Sequence, residues 1–427
     1  MRILILGSGG REAAIYRKLE ESPEISQLFA LPGNAGMKNS LPGNVEQLPE
    51  IANVALENKI DLIVVGPEVP LCNGIVDYFE KHHSNIKVFG PNREAAQLEG
   101  SKIFSQKFMQ EYDIPVATGT ECNDLETALQ AIEKHALPIV IKADGLAAGK
   151  GVSIHHDRES AISRIQEIFT DKLFGDAGNR VLLQKFLTGT EASLFAICNG
   201  EDALILPTAR DYKRAFDNNQ GPNTGGMGSY SPGNHLSDAH IGFARKKIIQ
   251  PVLDRFKYRG ILYVGLMVHS EKANDLSVIE FNCRLGDPET QCVMPRLEGD
   301  LLPYLLWSTG ENKLVTKVRE DGFDRLPVKP GVTLNTVIAA RGYPEKYAKG
   351  LAIRLPDKNT EGVHIIHAGT KFNETGEIVS NGGRILNVVA QAKTRTEAKS
   401  KVYQEIEKLT ANMNFNEFIY RTDIGDE

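Results

Sequence analysis

The chain has 427 residues, 41% of them hydrophobic and 24% charged, and a net charge of −6. That is an ordinary globular composition with room for about three domains, and it lacks the basic footprint of a nucleic-acid partner. Five scattered cysteines without a C-x-x-C pattern, no leader-like start and no apolar run of membrane-spanning length point to a reducing, cytoplasmic setting without membrane contact.

Residues 1–100 alternate short apolar runs with helical patterns. Strands are expected over 2–6, 28–31, 61–65 and 88–89, with a helix from about Arg11, so this part reads as a doubly wound parallel sheet. Gly7-Ser8-Gly9-Gly10 follows the first strand and can set backbone N–H groups against an anion. A dinucleotide site is disfavoured. Glu12 replaces the third glycine of G-x-G-x-x-G, and the second strand ends at Ala30-Leu31-Pro32 without an acidic residue. A small sugar phosphate suits Gly9 and Gly10 better; a tight turn that binds nothing is the plain alternative. Gly66-Pro67-Glu68 lies at the carboxyl end of the third strand, where open α/β sheets bind ligands. Glu68 can accept from two sugar hydroxyls or be a surface carboxylate.

Helices are expected over 101–112 and 125–134, and a strand over 137–143 that delivers Lys142. The small-residue loop after it, with Lys150 inside, suits a lid over a triphosphate, or else a flexible hairpin tip; it is not a Walker A sequence. Another strand is expected over 181–187. From 192 to 282 the pattern is β-rich, with a long loop over 217–231, a helix over 241–256 and neighbouring antiparallel strands over 262–268 and 277–281. Asp211-Tyr212-Lys213-Arg214 precedes a third glycine-rich string, Asn223-Thr224-Gly225-Gly226-Met227-Gly228. Charges of both signs beside close-approaching backbone suit a small zwitterion, with Asp211 on its ammonium group; a solvated loop is the alternative.

Period two places Glu280 and Asn282 on one strand face and Phe281 in the core. Two such oxygen donors, followed by Arg284 and Gly286-Asp287-Pro288, suit a hard cation that takes its remaining ligands from phosphate and water; an edge strand with polar residues facing water is the plain alternative. Neither Cys283 nor Cys292 has a nearby histidine base, and the ten histidines show no zinc-ligand spacing. Proline-bounded residues 326–331 mark a boundary. Beyond it, strands are expected over 332–340, 364–368 and 385–390 and a helix over 397–409. Asn381-Gly382-Gly383-Arg384 follows a β pattern and as a hairpin turn needs no ligand, though Arg384 is of the type that can reach a phosphate.

The strings IKADGLAAGKGV from Ile141, GPNTGGMG from Gly221, EFNCRLGDPETQ from Glu280 and SNGGR from Ser380 occur in an order that resembles, end to end, the glycinamide ribonucleotide synthetase (phosphoribosylamine–glycine ligase) family of the ATP-grasp superfamily. The resemblance implies an α/β and α+β protein. Its parts are an N-terminal doubly wound domain at 1–100, an ATP-grasp module of two sub-domains at 101–326 with its lid at about 115–190, and a β-rich domain at 327–427. It implies ATP as co-substrate, held by Lys102, Lys142, Gly149, Lys150, Phe186, Leu187 and Glu191. Mg²⁺ or Mn²⁺ would sit on Glu280 and Asn282. Glycine would lie near Asp211, Lys213 and the Gly225-Gly226-Met227 loop. The phosphoribosyl group would lie against Gly9, Gly10, Gly66, Pro67 and Glu68, with Arg284, Asp287 and Arg384 completing the substrate contacts. Lys142, Arg284 and Asp211 would be catalytic. The partners would be ATP, glycine and 5-phosphoribosylamine, with room for contacts to other purine-pathway enzymes. Activation of glycine as glycyl phosphate would need no side-chain nucleophile, and the Lys150 and Gly225 loops should close over it. Where the family commonly has His, an Asp-His-Lys string and paired acids, this chain has Ala13, Tyr212, and Gln184 with Lys185. A superfamily ligase with a different carboxylate acceptor, or a nucleotide-binding regulator without turnover, is the rival reading.

Overall fold

The computed structural model describes residues 1–147, 150–233, 235–311 and 325–426. Four parallel strands open it, in the order Gln27–Pro32, Arg2–Gly7, Leu62–Val65, Lys87–Phe89. The apolar run Ile3-Leu4-Ile5-Leu6 explains the central strand: alternate side chains serve different cores. Ile3 and Ile5 pack with Ala14 and Leu19 of helix Gly10–Leu19. Leu4 and Leu6 pack with Ile51 and Ala55 of helix Leu48–Glu57 and with Phe79 of helix Ile75–His82. The expected doubly wound sheet is therefore present.

Two antiparallel four-stranded sheets follow. The lid sheet runs Gly119–Cys122, Val181–Lys185, Ile139–Ala143, Val152–His155, backed by helices Leu125–Lys134 and Arg158–Phe169. The second sheet runs Ala203–Ile205, Thr190–Asn199, Arg259–Val268, Leu276–Asn282. Its core includes Phe281 and Phe108, the latter from helix Lys102–Glu111. The expected helix over 241–256 starts earlier, at Asp238, because Ser237 caps it through the His240 amide. It continues through a π-helical stretch, Arg245–Ile249, into Gln250–Phe256.

The expected loop over 217–231 is in part strand. Arg214–Phe216 pairs with Gln220–Asn223, and Gly228–Ser231 pairs with Val332–Ala340. Glycine, asparagine and proline at these positions read as turn, but pairing with a distant strand overrides local propensity. The last sheet thus draws from both sides of residue 327. It runs Arg210–Asp211, Gly228–Ser231, Val332–Ala340, Arg384–Ala392, Val363–His367, with Phe418–Ile419 also on Val332–Ala340. Helix Arg395–Asn412 covers it with Ala398, Val402, Ile406 and Leu409, one stripe at helical spacing. No helix among the described residues is long and apolar enough to cross a membrane.

Gly260, at the start of the long central strand of the second sheet, has φ +93°, and a Cβ there would fall 2.7 Å from the Gly90 Cα. Backbone meets backbone where the N-terminal sheet packs on the rest. Gly260→Ala is therefore expected to destabilise the fold by roughly 2 kcal/mol. The urea unfolding midpoint reads this, and an unchanged midpoint would contradict the close approach.

Candidate active site

A cleft of about 560 Å³ lies between the lid sheet, the second sheet and the turn after Asn282. Lys142 enters from the lid strand Ile139–Ala143 and donates from Nζ to the Ile279 carbonyl, 2.9 Å away. Ile279 is the extra residue of a bulge: Gly265 faces Glu280, and Leu266 faces Val278. The alternation is interrupted at Ile279 and holds from Glu280 to Asn282. Ile279 and Glu280 both reach the cleft wall, as does Asn282, while Phe281 stays in the core. Lys102 comes from the first turn of its helix, and its Nζ lies 3.6 Å from Glu280 Oε2. Asp144 fixes the two lysines relative to each other. It accepts from Ser101 Oγ at 2.7 Å and from the Ile103 amide at 2.8 Å, and it pairs with Arg180 at 2.6 Å.

Burial opposes the charge on Glu280, but Lys102, Lys213, Lys142 and Arg284 outweigh it and hold the carboxyl down at about 2. Burial lowers Lys142 to about 8, only partly offset by Glu280, and Lys102 adds to the lowering. A buried side-chain nitrogen of Asn282 has no hydrogen-bond partner among the described residues. Among those residues no three His, Cys, Asp or Glu side chains converge to hold a metal alone. A divalent ion on Glu280 and Asn282 would therefore draw its other oxygens from a bound nucleotide and water, as Mg²⁺ commonly does.

The other half of the cleft is acidic. Burial pushes Asp211 up to about 7 against the pull of Lys213, with Glu289, Glu191 and Glu280 adding to the rise. Lys213 Nζ pairs with Glu191 Oε2 at 2.7 Å, which holds Glu191 below its ordinary value. Burial opposes charge on Lys213, yet Glu191 and Asp211 raise it well above the usual lysine range. Glu289 accepts from the Tyr263 hydroxyl at 2.8 Å, and Tyr263 shares a hydrogen bond with Ser193 at 3.0 Å. Behind them Arg284 pairs with Glu99 at 2.7 Å and lies 3.4 Å from Glu68. Burial opposes ionisation of Glu68, but Arg284 and Arg11 lower it. Burial pushes the Cys283 thiol well up, and Glu99 accepts from it, so it carries no thiolate.

Of the sequence-derived candidates, the cleft wall brings together Glu68, Lys102, Lys142, Phe186, Leu187, Glu191, Asp211, Lys213, Gly225, Glu280, Asn282, Arg284 and Asp287. Gly149 lies outside the described residues, and Lys150 is exposed. Gly9, Gly10, Gly66 and Pro67 are off the wall. Gly9 donates its amide to Glu12 Oε2 at 2.7 Å, and Glu12 also fills the space where a Gly66 side chain would lie. The chain's own carboxylate thus takes a backbone N–H expected to serve an outside anion. Gly10 is pressed against the amides of Asn387 and Gln291. Gly226 packs on Pro288, and Met227 is fully buried. Arg384 donates to the carbonyls of Gly225 at 2.6 Å and Asp287 at 2.8 Å, tying the glycine loop to the turn after Asn282. Sequence reasoning missed Glu99, Tyr263, Ser193 and Glu289. Only Glu289 carried a signal, its place within the string from Glu280. Gln184, noted above as a departure, is buried and donates to Gln106 at 2.7 Å, forming a neutral pair.

Three family models match the chain: the N domain of phosphoribosylglycinamide synthetase over residues 1–99, its ATP-grasp (A) domain over 100–290, and its C domain over 333–427. A phosphoribosylamine–glycine ligase of Leptospira interrogans is 43% identical over 436 residues, covering 100% of this chain and 98% of that protein. One from Listeria innocua is 42% identical, covering 100% and 99%. The crystal structure of a phosphoribosylamine–glycine ligase from Thermotoga maritima superposes with a TM-score of 0.79 at 34% identity, covering 99% of this chain and 100% of that one. The biotin carboxylase domain of a Hydrogenobacter thermophilus carboxylase, solved with Mg-ADP, shares the fold at 16% identity, with a TM-score of 0.73 and coverage of 95% and 89%.

Because Glu280, more than Glu191, supports protonation of Lys142, Glu280→Gln should lower the Lys142 pKa further below its value of about 8. Heteronuclear NMR of the lysine side chain during a pH titration measures this. An unchanged midpoint would mean that the two groups are not coupled across the cleft.

Proposed function

The chain belongs to the phosphoribosylglycinamide synthetase family, and from that premise we propose how its cleft works. The reaction is the ATP-dependent ligation of glycine to 5-phosphoribosylamine in purine biosynthesis. A ligase of the same superfamily with a different acceptor is not favoured: all three domain models and the full-length relatives carry one reaction. The observation that supports the residue assignments is the meeting, in one cleft, of a cation-rich half around Glu280 with an acidic half around Asp211.

Lys102 and Lys142 bind the phosphates of ATP, and Phe186 and Leu187 border its base. Glu280 and Asn282 would hold a divalent ion, Mg²⁺ or Mn²⁺, which when bound lowers the negative charge presented by the phosphates. Asp211 takes the glycine ammonium, which leaves the carboxylate facing the phosphates. That carboxylate is a poor electrophile. Its oxygen attacks the γ-phosphorus, the bond to the ADP oxygen breaks, and glycyl phosphate forms. Lys142 and Arg284 stabilise the charge that develops. The phosphoribosylamine nitrogen then attacks the acyl carbon, phosphate leaves, and the nitrogen loses a proton. Glu68, paired with Arg284, orients the sugar. In this reading residues 1–100 serve the phosphoribosyl substrate, 101–326 grasp ATP with a lid at about 115–190, and 327–427 close the glycine side. The enzyme works in the cytoplasm on these small molecules.

An assay of ADP release with Mg-ATP and freshly generated phosphoribosylamine, with and without glycine, tests the reading; release that does not depend on glycine would overturn it. Glu280→Gln combined with Asn282→Ala should reduce kcat by roughly 10²–10³-fold, and near-normal turnover would sink the metal assignment. The pH profile follows from the two displaced groups. Asp211 must be ionised to hold an ammonium, so kcat/KM for glycine should rise with pH through about 7. Lys142 must be protonated to meet phosphate, so kcat/KM for ATP should fall as pH passes about 8. Flat profiles across both regions would exclude these roles.

A further inference from the structure

Tyr212, which stands where the family commonly has histidine, borders the cleft, yet its buried ring packs in the core of the last sheet with Tyr230, Leu334 and Ile424. Its neighbours Asp211 and Lys213 line the cleft on either side of it. Its ring lies near two guanidinium groups, Arg210 at 5.7 Å and Arg421 at 5.0 Å from the centroid. Its hydroxyl donates to the Asp426 carbonyl at 2.9 Å and accepts from the Gly425 amide at 3.1 Å. Arg421 is fully buried. It pairs with Asp423 at 2.6 Å, and it donates to the Arg214 carbonyl at 3.2 Å and to Asn219 Oδ1 at 3.1 Å. Asp217 accepts from the Thr422 amide at 2.8 Å and from its hydroxyl at 2.5 Å, and Asp423 accepts from the Asn218 amide at 2.8 Å.

Apart from the Arg421–Asp423 pair, these bonds tie 421–426 to the segment 212–219, which leads into a two-stranded hairpin, Arg214–Phe216 with Gln220–Asn223. Such a hairpin is marginal by itself. This one turns through Asn218 and Asn219 at φ 57° and 55° and leaves Phe216 half exposed, so little of its own packing fixes it. Yet Arg214, Asn219 and Asn223 line the cleft. We propose that the segment Arg421–Asp426 is a clamp that sets Asp211, Lys213 and the hairpin for the amino-acid substrate, with Tyr212 and Arg421 as positioning residues. The proposal rests on the reading that glycine binds beside Asp211.

The test uses the full chain and measures KM for glycine, KM for ATP and thermal unfolding. Tyr212→Phe keeps the ring beside its two arginines and removes only the hydroxyl bonds. Thr422→Ala removes one clamp bond and spares buried Arg421. Both variants should raise KM for glycine about five- to tenfold, because misplacement of binding groups is felt directly, while KM for ATP stays within about twofold and unfolding stays cooperative. An unchanged KM for glycine in both variants overturns the clamp. A parallel rise in both KM values with a lower unfolding temperature also overturns it, since that is the signature of a merely structural tyrosine. Asp211→Asn, measured alongside, separates the two claims. A normal glycine KM there, with a raised one in Tyr212→Phe, leaves the clamp standing and moves the ammonium contact off Asp211.

Discussion

One carboxylate organises the cleft. Glu280 sits on an edge strand among cations that come from four different places: Lys102 from a helix start, Lys142 from the lid sheet, Lys213 from the 210–214 segment, and Arg284 from the turn that follows. Without that anion the like charges would repel one another in a poorly solvated space. With it they can share a single cavity, Lys213 paired with Glu191 and Arg284 with Glu99. A triphosphate meets lysines already gathered, so less of its binding energy goes to reorganising them.

The gathering depends on pairs set one layer back. Asp144 binds the lid strand to the helix of Lys102. Glu99 holds Arg284 and also the amide of Cys283, which fixes the backbone immediately after Asn282. Arg384 spans the glycine loop and the Asp287 turn. Buried charges are tolerable only when paired and hydrogen-bonded, and these pairs are also what orients the groups that face substrate.

The legible part of the site was the part written in one element. The strand carrying Glu280 and Asn282 could be read from period two, and Lys142 from an apolar run that ends in lysine. Even there the bulge at Ile279 was invisible, because an extra residue is defined only by the partner strand it fails to match. The fold class followed from strand–helix alternation for the same local reason. Glu99, Ser193 and Tyr263 gave no signal, since an ordinary helical glutamate or strand tyrosine becomes a site residue only through what lies across from it. The glycine-rich turn at Gly9 looked open to an anion because Glu12 was counted as a missing glycine. In the structure that carboxylate fills the position. The hairpin within 214–223 was hidden by turn-forming residues that a distant segment holds in place.

The pairing of Gly228–Ser231 with Val332–Ala340 joins segments about a hundred residues apart. It also sets an order for biosynthesis. A chain emerging from the ribosome can complete its N-terminal sheet, its lid and most of the second sheet while the wall beside Asp211 still has an open edge. That wall gains its neighbouring strand only when residues 332–340 arrive, and its outer support only with 384–392. The nucleotide side of the cleft can therefore take shape on a nascent chain well before the amino-acid side exists. During that interval Gly228–Ser231, paired only with Arg210–Asp211, presents an open edge of the kind that invites wrong partners.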